Sequence, residues 1–133
     1  SEFNQESFKK FKDGYKILIK KIKEQDAKLV VMTPPPFDRY TYELNNDSFL
    51  DYNSVLKTYS KWIIENDESY DALIDLNSVI SEFINKKRIK KPRYKYGEGI
   101  HPNSIEHFEI TKAILKTLFN IVIISNIPLF TIS

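Results

Sequence analysis

The chain has no cysteine among its 133 residues. Disulfides, thiolate metal sites and a cysteine nucleophile are thereby excluded. It has only two histidines, so a zinc centre of the usual kind is not expected, and nothing points to another metal or to a cofactor. Long apolar runs are lacking too. The stretch 118–130 is broken by Asn120, Ser125, Asn126 and Pro128, too short and too interrupted to span a bilayer. No internal repeat or low-complexity segment stands out. What remains is an ordinary globular composition, 41% hydrophobic and 29% charged. The net charge of +2 hides an uneven distribution. Eight lysines fall within residues 9–28, acids outnumber bases ten to three over 38–82, and every charged residue in 86–95 is basic.

Hydrophobic periodicity divides the chain into alternating elements. Phe8, Phe11, Tyr15, Leu18 and Ile22 recur at three- and four-residue steps and predict a helix over 5–25. The apolar run Leu29, Val30, Val31, Met32 predicts a short buried strand. It is halted by Pro34, Pro35 and Pro36, which lack the amide donors of a ladder. Residues 38–46 read as a surface loop. A second helix fits 52–66, with Asp51 placed to cap it. Residues 72–76 form a second strand, and Asn77 or Ser78 can cap a third helix carrying Val79, Ile80, Phe83 and Ile84. Asn103 with Glu106 makes an Asn-x-x-Glu capping pattern for a fourth helix, whose inner stripe is Ile110, Ile114 and Leu118. A further strand is a candidate at 121–124. Strands alternating with amphipathic helices argue for a parallel α/β sheet. Two or three strands are few for a sheet, which usually has about four to six, so the chain reads as part of a doubly wound domain.

The chemistry concentrates in Gly97-Glu98-Gly99-Ile100-His101-Pro102-Asn103. A carboxylate three residues before a histidine can orient the imidazole across a tight turn, and the imidazole can then act as general base for a hydroxyl nucleophile. Asp75, at the end of the second strand, is a rival acid, although strand-end aspartates commonly cap the next helix. His107 lies on the last helix, where packing is the ordinary role. No nucleophile is evident, since serines such as Ser54 and Ser78 sit at helix starts.

Two blocks resemble the C-terminal half of an SGNH (GDSL-type) hydrolase. Leu29-Val30-Val31-Met32-Thr33-Pro34-Pro35-Pro36-Phe37-Asp38 looks like the strand and proline-rich turn after the family's third block. Glu98-Gly99-Ile100-His101-Pro102-Asn103 looks like its last block, Asp-x-x-His-Pro. The resemblance implies a three-layer, flavodoxin-like parallel sheet, present here as its C-terminal half only, over residues 1–120, with 121–133 an apolar extension. It implies that His101 is the general base and Glu98 the acid that fixes its tautomer. The family has Asp at that position, but Glu serves in related triads on other folds. It also implies a serine-dependent hydrolysis of acyl or carbohydrate O-acetyl esters. The Gly-Asp-Ser and Gly-x-Asn-Asp blocks that supply the serine and oxyanion Asn are absent, so the expectation is that an N-terminal half of the same domain provides them. Phe37 and Pro36, at the carboxyl end of a strand, are expected to line the substrate site.

Residues 86–96 hold seven basic residues and two tyrosines. A solvated loop is the ordinary outcome of such a strip. The alternatives are an anionic substrate near His101 and nucleic-acid binding. An SGNH-like interaction module without activity is the remaining alternative.

Overall fold

The computed structural model describes residues 3–45, 52–66 and 70–126. Helix α1 spans Gln5–Lys23. It begins where the Asn4 side chain accepts from the Ser7 amide at 2.8 Å, and Glu6 and the terminal lysines complement the helix dipole at its two ends. Its aromatic stripe packs on α3 (Asn53–Glu65). Phe11 lies 4.7 Å from Tyr59 and 5.7 Å from Trp62 between ring centroids, and Tyr15 lies 5.1 Å from Trp62. The residue that α1 buries at the end of this stripe is Ile19; Leu18, expected there, is exposed. The expected cap Asp51 lies outside the described residues, and Tyr52 at the N-cap makes no side-chain capping bond.

Strands β1 (Val30–Met32) and β2 (Ala72–Ile74) pair in parallel, Val31 opposite Leu73 and Met32 opposite Ile74. Because strand side chains alternate faces, Val31 and Leu73 share one face and join Ile19 and Ile63 in a core under α1 and α3. The opposite face is half covered. Ile74 is buried, whereas Met32 is 46% exposed.

Residues 39–45, expected as a loop, form helix α2 (Arg39–Asn45). Asp38 starts it: its backbone carbonyl accepts from the Tyr42 amide and its carboxylate from the Thr41 amide. Helix α4 (Leu76–Lys90) is capped by Asp75 rather than Asn77 or Ser78. It runs into the basic strip, because Lys87, Arg88 and Lys90 suit a helix C-terminus and Pro92 stops propagation. Helix α5 (Ser104–Asn126) replaces the strand expected at 121–124. The Asn103–Glu106 capping box launches it, and no proline interrupts it before Pro128. It packs against α4 and β2. Phe108, Leu115, Leu118 and Phe119 on it remain exposed, so Leu118 is not part of the inner stripe.

The chain is thus mixed α/β, mostly helical, with one small two-stranded parallel sheet among the described residues. No helix among them is long and apolar enough to cross a membrane.

Candidate active site

The turn between α4 and α5 brings Glu98 and His101 together, with the Glu98 carboxylate hydrogen-bonded to His101 Nδ1. Both side chains are open to solvent, His101 at 78% and Glu98 at 50%. The hydrogen bond from His101 leads the effects that hold the Glu98 carboxyl below its ordinary value. An ionised carboxylate can only accept, so Nδ1 carries the hydrogen in this contact, and in the neutral ring the lone pair is then on Nε2. That is the tautomer a general base requires. Among the described residues the ring has no other hydrogen-bond partner and no serine hydroxyl reaches it.

Two glycines shape the turn. Gly97 has φ +45°, and a Cβ there would stand 1.9 Å from the His101 carbonyl oxygen. Gly99 has φ +101°, and its Cβ would meet the Tyr42 backbone nitrogen at 2.6 Å. Only glycine lets the turn approach α2 this closely. The approach is fixed by backbone hydrogen bonds: Asp38 N–H donates to the Gly99 carbonyl at 2.8 Å, and Gly99 N–H to the Tyr96 carbonyl at 2.7 Å. The proline-rich turn after β1 and the Glu98–His101 turn, sixty residues apart in the chain, are therefore bonded neighbours.

Beneath this contact lies a polar network that periodicity could not have revealed. Arg88 grips Asp38 with two hydrogen bonds, 2.9 Å from Nη1 and 2.6 Å from Nη2. The Arg88 guanidinium also donates to the Tyr94 carbonyl at 3.2 Å and 3.1 Å. The Thr41 hydroxyl donates to Asp38 and accepts from the Tyr96 amide at 2.9 Å. Burial by itself would raise the Asp38 carboxyl, but the hydrogen bonds from Arg88 and Thr41 outweigh it and hold the group below its ordinary value. On the other side, Tyr94 donates its hydroxyl to the fully buried Glu106. Glu106 Oε2 in turn accepts from the Asn103 amide at 2.8 Å, closing the capping box. Burial, reinforced by Glu106, pushes the Tyr94 hydroxyl far up, so it stays a donor. Loop residues 94–103 are thus tied to α2, α4 and α5 at once. The signals in the sequence for this network were the Asn103–Glu106 capping pattern and Asp38 three residues before Thr41.

The other expected site residues fall as follows. Pro36 and Phe37 are buried in the wall of a cleft beside the turn. The Phe37 ring packs 5.2 Å from Tyr42 and 5.5 Å from Tyr52, and its amide donates to Asn53 Oδ1 at 3.2 Å. Asp75 is engaged structurally: it accepts from Thr33 Oγ1 at 2.8 Å and Ser78 Oγ at 2.6 Å, tying the end of β1 to the start of α4. His107 is exposed on α5 rather than packed. The basic strip is not one loop, since 86–90 belong to α4 and Arg88 turns inward to Asp38. Among the described residues no group of three or more His, Asp or Glu side chains gathers to hold a metal ion. Comparison of the chain with known protein families, with curated proteins and with solved structures finds no match.

Proposed function

We propose that the chain supplies the acid–base half of an SGNH-type serine hydrolase acting on acyl or carbohydrate O-acetyl esters, with a flavodoxin-like sheet completed from outside these residues. The observation that carries the reading is the Glu98 carboxylate on His101 Nδ1, borne by a turn bonded to the proline-rich segment at the carboxyl end of β1. The carboxyl ends of strands are where open α/β sheets bind ligands. His101 Nε2 would take the proton from a serine hydroxyl and return it to the leaving alcohol. Glu98 would hold the tautomer and stabilise the imidazolium. The serine and the oxyanion donors come from an N-terminal half of the same domain, for which the uncovered face at Met32 and the exposed apolar side of α5 leave room.

The basic strip does not favour a nucleic-acid reading, because its most deeply placed cation, Arg88, is spent on Asp38. The test is hydrolysis of p-nitrophenyl acetate by the protein expressed with its upstream coding sequence. His101→Ala should lower kcat/KM by about 10⁴-fold or more, and Glu98→Gln by roughly 10³–10⁴-fold. Activity unchanged in His101→Ala would remove the base assignment.

A further inference from the structure

A cleft of about 210 Å³ opens at the carboxyl ends of β1 and β2, between the proline-rich turn, α3 and α4. Phe37 and Ile84 give it an apolar floor, and its remaining wall is polar. Asn77 spends its amide nitrogen on the Pro34 carbonyl at 3.4 Å, which leaves its side-chain oxygen as an acceptor. Among the described residues, the Ser81 hydroxyl and the Asn85 carboxamide, both lining the cleft from α4, make no hydrogen bond. The Asp38–Arg88 pair forms part of the wall and is internally neutral. Lys57 from α3 also lines the cleft, and no carboxylate among the described residues pairs with it. Among the described residues the cleft therefore combines an apolar floor, donors and acceptors that are not engaged, and one ammonium to which no carboxylate is bonded.

Size narrows the ligand. At about 210 Å³ the cleft falls below the roughly 300 Å³ at which drug-sized pockets begin. A single six-carbon sugar unit fits within this volume. Neutral amides and hydroxyls match sugar hydroxyls, which both donate and accept. A lone ammonium matches one carboxylate.

We propose that this cleft binds one sugar unit bearing a carboxylate, a uronic-acid unit, with Asn77, Ser81 and Asn85 on its hydroxyls and Lys57 on its carboxylate. Asp38 links the cleft to the histidine turn, since it lines the former and its amide is bonded to Gly99 in the latter. The inference rests on the hydrolase reading only in making this sugar the alcohol part of the ester. Binding to the cleft needs no serine nucleophile.

The experiment is a titration of the 133-residue chain with sodium D-glucuronate, followed by amide ¹H–¹⁵N correlation spectra, with D-glucose and sodium acetate as separate arms. Glucuronate should shift the side-chain amide peaks of Asn77 and Asn85 saturably. Glucose should bind about tenfold more weakly for want of the charge-assisted contact, and acetate should not saturate. Lys57→Gln and Asn85→Ala, both at exposed helix positions, should each weaken glucuronate binding about tenfold while leaving the rest of the spectrum in place. No saturable shift at these amides, or either variant titrating like the parent, overturns the site. Equal affinity for glucose overturns the carboxylate assignment. Loss of the hydrolase reading would show instead in the esterase assay with His101→Ala, which this titration does not involve.

Discussion

The two ends of this molecule are held together by different physics. Around α1, β1 and α3 the chain relies on packing: Ile19, Val31 and Ile63 are buried under a ladder of Phe11, Tyr15, Tyr59 and Trp62 rings. Around α2, the start of α5 and the Glu98–His101 turn it relies on a connected polar network, Asp38, Arg88, Thr41, Tyr94 and Glu106, over a small cluster of Ile80, Ile84 and Tyr96. Packing is non-directional and degrades gradually when one side chain shrinks. A buried polar network is directional, and stranding one member leaves another uncompensated. The part that carries the Glu98–His101 turn is built from the directional kind.

The largest effect expected from breaking this comparison is on the ion pair. The Asp38 side chain is only 9% exposed and that of Arg88 23%. Arg88→Ala should therefore cost about 3–5 kcal/mol in urea unfolding, because it strands a buried carboxylate. Adding Asp38→Asn to it should recover part of the loss; a double variant no more stable than Arg88→Ala would contradict the stranded-charge account. Ile63→Ala, in the packed region, should cost roughly 3 kcal/mol through lost burial and the cavity left behind. It should also leave the amide shifts of residues 96–101 unchanged, whereas Arg88→Ala should move them. Equal movement of those shifts in both variants would erase the distinction between the regions.

Gly99→Ala is a sharper cut. A Cβ there meets the α2 backbone at a φ that alanine avoids. The backbone term alone is about 1–3 kcal/mol, and the hydrogen bond from Asp38 to the Gly99 carbonyl should be lost, seen as faster exchange of the Asp38 amide. Exchange as slow as in the parent would show that the turn tolerates the methyl group.

Acid supplies a smaller effect of known sign. Asp38 sits below its ordinary 3.8 in the folded state. The stability it contributes is therefore fully present above about pH 4, the unfolded value, and is lost as pH falls through the lowered folded value. Between pH 5 and pH 3 the parent should lose more unfolding free energy than Asp38→Asn. Parallel pH curves would mean that the pair contributes no linkage.

How much of this was legible in the sequence follows from the same contrast. Periodic packing leaves a record in one dimension, so α1, α3, both strands and the start of α5 could be located from apolar spacing and the Asn103–Glu106 capping box. Helix α2 was hidden because Tyr40, Tyr42 and Leu44 alternate like a strand or loop, and only the Asp38 cap hinted at it. The end of α5 was hidden because its isoleucines and valine suit strands better than helices, and the helix was already propagating when it reached them. In the same way, the charges of 86–90 look like a loop until the dipole at the end of α4 is considered. The Asp38–Arg88 pair spans 50 positions and leaves no local pattern at all. The Glu98–His101 contact was legible because it is local. The support that holds its turn in place was not.

The central claim is that Glu98 fixes His101 in the form of a base, and the ring nitrogens report it most directly. Long-range ¹H–¹⁵N correlation spectra of the neutral His101 imidazole should show hydrogen on Nδ1 and a bare Nε2, the Nε2–H form returning in Glu98→Gln with the melting temperature unchanged. An Nε2–H ring in the parent protein, indistinguishable from that of the exposed His107, would contradict it.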